Sequence, residues 1–163
     1  MDNFSVVTTL KDLAVSPMSR IHLQIKGRNV SVILRNNQVF CMDSICCHMG
    51  GPLAAGDIED VDGELAIKCP WHSYRFSLLD GKKFSKPVTF DADSGSPSCH
   101  GWSKSDVTSQ RVHDVVVDEK GSVSVRLVLE RGDSIPSDRY AYDSNAAACL
   151  HKACSQYFHS NRY

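Results

Sequence analysis

Apolar and polar positions alternate with a period of two over most of the chain, which is the pattern of strands with one buried face. Arg20 to Ile25 alternate, Lys26-Gly27-Arg28 turns, Val30 to Leu34 alternate again, Asn36-Asn37 turns, and Val39-Phe40-Cys41-Met42 follows. The first forty residues therefore read as strands, joined as a meander by tight polar turns. Asp57 to Val61 and Leu65 to Lys68 form a hairpin about Asp62-Gly63, and Tyr74 to Leu79 is strand-like before a turn at Asp80-Gly81. Residues 91–106 are rich in Ser, Asp and Gly and read as an irregular loop. Arg111 to Val117 and Ser122 to Leu129 alternate most clearly, joined by Asp118-Glu119-Lys120-Gly121. Many short strands with turn signals predict an all-β fold, a sandwich or small barrel. The ladder is expected to end near Arg131, with linker over Gly132 to Pro136. Leu150, Cys154, Tyr157 and Phe158 then fall at helical spacing over 144–158, behind Asp143 or Ser144 as cap.

The alternation breaks at Cys46-Cys47-His48 and again at Cys69-Pro70-Trp71-His72. Each break follows the end of a strand, so the two loops flank a hairpin and are expected to meet at its tip. C-x-H and C-x-x-H together supply two thiolates and two imidazoles, the ligand set of a [2Fe–2S] centre in which two His replace two Cys on one iron. Cys46 and Cys69 can bind one iron and His48 and His72 the other. Thiolate stabilises ferric iron, whereas neutral imidazole leaves its iron less negative and raises the potential. Gly50 and Gly51 are expected to let backbone N–H groups approach the bridging sulfides, where such bonds raise the potential further. Structural zinc uses the same donors, but its common patterns begin with C-x-x-C and end with H-x-x-x-H, whereas here each half mixes the two types. Cys47 breaks the C-x-H register and reads as a buried small apolar residue.

Composition narrows the picture. A formal charge of −1 argues against a binder of nucleic acid. No apolar run is long enough to span a membrane, and no secretory or mitochondrial signal is visible, so the expected location is cytoplasmic. Seven Cys is an odd number, which in a reducing compartment favours metal ligation over a disulfide framework. Neither a 2-His-1-carboxylate motif nor a G-x-G-x-x-G fingerprint occurs, so the chain is not expected to be an enzyme alone.

Cys46-Cys47-His48-Met49-Gly50-Gly51-Pro52-Leu53 and Cys69-Pro70-Trp71-His72-Ser73-Tyr74 resemble the two cluster-binding boxes of Rieske iron–sulfur proteins. Gly56-Asp57-Ile58-Glu59-Asp60, Gln110-Arg111-Val112-His113 and Ser137-Asp138 near Tyr140 are similar to the small soluble members of that family, the Rieske-type ferredoxins. The resemblance covers roughly Ile21 to Tyr142. It implies a Rieske-type antiparallel β-sandwich of three small sheets, with a cluster-binding subdomain at about 43–85 within a domain 1–131, and a C-terminal extension 132–163. It implies one [2Fe–2S] cluster on Cys46, His48, Cys69 and His72, with the histidines bound through Nδ1 near the surface as the port to a redox partner. Respiratory-type members carry two further Cys as a disulfide brace; Gly51 and Trp71 stand at those positions. Without that brace the expected potential lies toward the lower end of about −150 to +300 mV.

The function implied is a soluble one-electron carrier between a flavoprotein reductase and an oxygenase, hydroxylase or desaturase. A redox-sensing or assembly subunit is the alternative. Around the boxes, the acidic stretch Asp57, Glu59, Asp60, Asp62 and Glu64 and the lysines Lys82, Lys83 and Lys86 are candidates for steering a partner or for a solvated surface. Ser73 and Tyr74 are candidates for hydrogen bonds to the cluster. Cys149, His151, Cys154 and His159 read as incidental, His100 and His113 as structural or surface residues, and His22 as a solvent-side strand residue.

Overall fold

Left-handed turn residues set the first sheet. The computed structural model describes residues 3–129 and 134–160, the side chains of 157–160 excepted. After β1 (Ser5–Thr9) and the helix α1 (Leu10–Val15), the chain runs through β2 (Arg20–Ile25), β3 (Arg28–Arg35) and β4 (Gln38–Asp43). Lys26-Gly27 and Asn36-Asn37 carry φ of 50° and 81°, and 50° and 59°. Two successive positive φ values make the turn whose twist matches that of flanking strands, so both hairpins close in register.

Then follow β5 (Ile58–Val61), β6 (Glu64–Lys68), β7 (Arg75–Ser77), β8 (Lys82–Ser85), β9 (Val88–Phe90), β10 (Pro97–Cys99), β11 (Ser103–Thr108), β12 (Val112–Val117), β13 (Ser122–Arg126) and the helix α2 (Ser144–Ser160). They form three antiparallel sheets, ordered β1-β13-β12-β4-β3-β2, β11-β8-β7-β6-β5 and β10-β9. The all-β sandwich of three small sheets is therefore present. Two local expectations fail. Residues 91–106 hold β10 and most of β11; the β9–β10 pair is exposed throughout, so it has no buried face to leave an alternating signature. β11 is a polar edge strand, as edges tend to be. The first forty residues also contain α1, too short for a readable period, whose Thr9 cap accepts from the Asp12 N–H at 3.1 Å.

β3 is buried on both faces. Val30 and Val32 pack with Leu13, Cys41, Val123 and Val125 on one side. Ile33 faces the other, with Phe40, Met42, Ile67, Phe76 and Leu78, and this core also holds Cys46 and Cys69. The two ligand loops thus grow out of the core between the large sheets. The second is the tip of the β6–β7 hairpin, at the end of the β5–β6 pair away from Asp62-Gly63.

Asp43, the last residue of β4, is fully buried. Its carboxylate accepts from Arg28 Nε at 2.7 Å and Nη2 at 2.6 Å, from Ser137 Oγ at 2.5 Å and from His113 Nε2 at 3.1 Å. His113 Nδ1 accepts from the Val128 N–H, so Nε2 carries the proton toward Asp43. Arg28 also reaches Asp138, which pairs with Arg111 through two bonds of 2.8 and 2.6 Å. Burial raises the Asp43 carboxyl, but the hydrogen bonds from His113 and Arg28 outweigh it and hold it below its ordinary range. Asp138, opposed by burial, is held well below by Arg111 and Arg28.

That network ties the segment 134–143 to the body, and α2 follows it onto the first ligand loop. Asp143 caps α2 by accepting from the Ala146 N–H at 2.9 Å, and Leu150 packs on Ile45 and Ala54. The boundary at 131/132, part of the expected linker, and the side chains of Tyr157, Phe158 and His159 lie outside the described residues. His22 is not a solvent-side residue. Its Nδ1 lies 2.7 Å from Ser31 Oγ and its Nε2 3.3 Å from Cys154 Sγ on α2, and Ser31 bonds Ser44 at 2.6 Å. Covered by α2, with Arg20 and His151 nearby, it is lowered to about 4.

Asp43→Ala leaves Arg28 with Asp138 alone and takes the shared acceptor from His113 and Ser137, and should cost about 3–5 kcal/mol of unfolding free energy in urea titration, as for breaking a buried pair. Stability should also depend on acid in two windows. Between pH 6.5 and about 4 the unfolded chain takes a proton at His22 that the folded chain refuses, so stability falls with pH; His22→Gln should flatten that slope. Below the ordinary carboxylate range the contributions of Asp43 and Asp138 are lost as the folded groups protonate, a drop that His22→Gln leaves in place.

Candidate metal centre

The first loop leaves β4 at Asp43 and is clamped by two buried side chains. Gln110 Nε2 donates to the carbonyls of Asp43 at 3.1 Å and Ile45 at 2.7 Å, and its Oε1 accepts from the Cys47 N–H at 3.1 Å. Arg20 Nη1 donates to the carbonyls of Ala54 and Gly56 at 2.7 and 2.8 Å. Inside the loop, the Cys46 N–H bonds Gly51 O at 2.9 Å and the Gly50 N–H bonds Cys46 O at 3.0 Å. The loop then runs against the end of β6. A Cβ on Gly56 would lie 1.9 Å from the Lys68 carbonyl oxygen, so only glycine fits there, one residue before Cys69. Gly56→Ala should therefore separate the loops and cost at least as much unfolding free energy as loss of a core contact, about 2 kcal/mol or more, read as a lowered melting temperature in thermal melts.

The second loop is a tight turn. The Cys69 N–H donates to Tyr74 O at 2.7 Å and the Ser73 N–H to Cys69 O at 3.0 Å, with Ser73 at φ 60°. The two loops bring Cys46, His48, Cys69 and His72 together. Both thiols are 1% exposed and touch each other. The imidazoles of His48 and His72 lie edge to face, centroids 4.8 Å apart, with His72 on the surface. The His48 N–H is directed at the Cys46 sulfur, and those of Trp71 and His72 at the Cys69 sulfur. The N–H of Gly50, expected to approach a sulfide, is instead used by the Cys46 carbonyl.

Contact with Cys47 pushes the Cys46 thiol up to about 11, and contact with Cys46 together with burial pushes Cys69 higher still. Any cation held here must displace those protons. His48 Nδ1 is buried with no hydrogen-bond partner among the described residues. A buried ring nitrogen with no partner costs about 1–3 kcal/mol, a loss that a metal ion bound there would recover. A [2Fe–2S] cluster asks for two donors at each of two irons, and the two loops supply two buried thiols and two adjoining imidazoles. The residues present fit that group.

Other expectations separate by position. Cys47 is half-buried against the core and anchored through its N–H. The Tyr74 ring stacks 4.2 Å from His48, while Ser73 acts through its backbone. A Cβ on Gly51 would be 3.1 Å from both the Trp71 ring and Cys69 Sγ, so the indole fills the space between the loops. All seven cysteines are free. Of the tail residues Cys149, His151 and Cys154, only Cys154 bonds a residue outside the tail, through His22. His100 bonds Thr89 on the surface, and His113 is a structural residue against Asp43. In the acidic stretch, Glu59 pairs with Lys68 and Arg75, and Glu64 with Lys104. Sequence reasoning gave no role to Asp43, Arg20 or Gln110. Asp43 carried a signal: a carboxylate inside the apolar run Val39 to Cys46 implies a buried cation.

Residues 7–130 match the family model described as soluble Rieske-type ferredoxin. A Rieske domain-containing protein of Homo sapiens is 32% identical over 127 residues, 78% of either chain. Among solved structures, the ferredoxin of carbazole 1,9a-dioxygenase from Nocardioides aromaticivorans IC177 superposes with a TM-score of 0.54 at 23% identity, over 77% of this chain and 98% of its own. A protein from Mycobacterium tuberculosis described as an NADH-dependent nitrite reductase small subunit does so at 0.58 and 15%, over 79% and 98%. These two establish the fold; the family follows from the sequence match, and this chain belongs to the soluble Rieske-type ferredoxins.

Proposed function

We propose that the protein is a one-electron carrier whose [2Fe–2S] cluster is held by Cys46 and Cys69 on one iron and His48 and His72 on the other. The observation that carries the reading is His48 Nδ1, buried and unpartnered, on a ring 4.8 Å from His72 and above two buried thiols. When bound, the cluster takes up and releases one electron. The chain's own residues do the rest. The core around Cys46 and Cys69 excludes water from the sulfurs, and the N–H groups of His48, Trp71 and His72 favour negative charge on them. His72 and the edge of His48 bring the site to the surface, which shortens the path to a partner.

The donor consistent with this role is a flavoprotein reductase, and the acceptor an oxygenase, hydroxylase or desaturase. One fold neighbour is the ferredoxin of a dioxygenase, which supports that assignment. The chain acts as a component of such a system and not as an enzyme alone. No described helix is long and apolar enough to cross a membrane. The sensing or assembly alternative draws on one observation, that α2 rests on the first ligand loop through Leu150.

The purified protein should be brown and, after dithionite reduction, give a Rieske-type electron paramagnetic resonance signal. His48→Ala and His72→Ala should abolish the signal or change its type; variants that keep it would refute the ligand assignment. Its potential, by redox titration, should fall toward the lower end of about −150 to +300 mV, because Trp71 and Gly51 replace the disulfide brace. Fast, reversible transfer to and from a reductase supports the carrier; a slow cluster whose loss changes partner binding supports the sensor.

A further inference from the structure

We propose that the groove beside the histidine pair, walled by Tyr74, Arg75, Lys83, Lys86 and Trp102, is the docking face for an acidic electron-transfer partner protein. It rests on the reading of His48 and His72 as the electron port and adds the chemistry of the surface that meets it. The groove holds about 350 Å³ and opens along the β7–β8 hairpin. Tyr74 is shared between groove and port: its ring is 4.2 Å from His48 on one side and 4.6 Å from Lys83 Nζ on the other. A charge held in the groove is therefore one aromatic ring away from a proposed ligand.

The sign of the groove follows from ion pairing. Arg75 is engaged by Glu59 at 2.6 Å, and Glu59 also holds Lys68. Lys104 engages Glu64 at 2.7 Å and Asp80 at 2.9 Å. The carboxylates nearest the groove are thus already matched. Lys83 and Lys86 have no ion pair among the described residues. Each instead lies over a ring, Lys83 over Tyr74 and Lys86 over Trp102 at 4.6 Å. A cation over an aromatic face is held in place without being neutralised, so both ammonium groups remain available to an incoming anion. The chain as a whole carries −1, so attraction to an acidic surface depends on a local positive pole; one at Lys83 and Lys86 would orient the molecule with its histidines forward. Exposed Met49 and Trp71, at 59% and 50%, lie beside the two histidines and offer the apolar contact that the centre of an interface needs. An open groove with no buried charged group suits a broad protein surface better than a small anion, which would be bound from several sides.

The test uses the full-length protein with its cluster on two gold surfaces, one coated with carboxylate-terminated and one with trimethylammonium-terminated alkanethiol. Retention is read by surface plasmon resonance and interfacial electron transfer by voltammetry. The carboxylate surface should give retention and transfer about ten-fold higher, falling with salt. Lys83→Glu/Lys86→Glu should remove that advantage while leaving the circular dichroism and visible spectra unchanged, and Lys83→Gln/Lys86→Gln should remove part of it. Lys11→Glu/Lys120→Glu makes the same change in net charge at α1 and the β12–β13 turn, on the other side of the large sheet, and should retain it. Equal behaviour on the two surfaces, or equal losses in the two glutamate doubles, would overturn the proposal. Retention needs no cluster, so lysine-dependent retention without a Rieske signal would uphold the groove as a face for an acidic partner and refute the electron-carrier reading on which its electron-transfer role rests.

Discussion

The constraint on which the fold depends is a single carboxylate with nowhere to go. Asp43 is fully buried at the end of β4, three residues before Cys46, and a lone ionised carboxylate there would cost many kcal/mol. Arg28 from β3, His113 from β12 and Ser137 from the C-terminal segment all converge on it. Each comes from a different part of the chain, so satisfying Asp43 fixes two hairpins and the tail relative to one another. Gln110, three residues before His113, reads the adjoining carbonyls of Asp43 and Ile45 and so transmits that order into the ligand loop. A buried pair of this kind gives little net stability over an apolar replacement. What it contributes here is position: the direction in which the chain leaves β4 decides where Cys46 and His48 point.

The C-terminal segment is part of that support, although the family match ends at residue 130. Asp138 bridges Arg28 and Arg111, and the Tyr140 ring lies where a Cβ on Gly50 would come within 3.0 Å. α2 then covers Ile45 and Ala54 and shields His22. With Trp71 filling the gap beside Gly51, the first loop is braced by packing from one side and hydrogen bonds from the other. That accounts physically for ordered loops without a disulfide.

Much of this was legible in the sequence, for identifiable reasons. The strands of the first sheet, β2 to β4 and β12 to β13, announce themselves by apolar runs between tight turns, and the turns at Lys26-Gly27 and Asn36-Asn37 by residues that accept positive φ. The C-x-H and C-x-x-H boxes are legible because ligand chemistry restricts residue type at fixed spacing. The β9–β10 hairpin and the strand β11 were not, because none of their residues is buried and a strand without a buried face leaves no alternating signature. The loop clamps were hidden for another reason. Arg20 and Gln110 act on backbone carbonyls 34 and 65 residues away, and a carbonyl leaves no mark on the sequence. His22 was misplaced because its cover, α2, arrives from more than 120 residues further on.

The hydrogen bonding around the four proposed ligands is uneven. Backbone groups, carboxylates and amides around them are matched, yet His48 Nδ1 is not, and three neighbouring thiols share contacts that push Cys46 and Cys69 up. An evolved core pairs its buried polar atoms, so an unpaired buried ring nitrogen beside two buried thiols supports the proposal of a cluster at that point. Binding there must remove protons from sulfur and satisfy a ring nitrogen at once, which couples cluster retention to the integrity of both loops. The same coupling gives a reason for the contacts at Asp43, Gly56 and Gln110 that hold the loops in place. If the loops drifted apart, two half-sites would remain, and neither pair of donors holds a cluster alone.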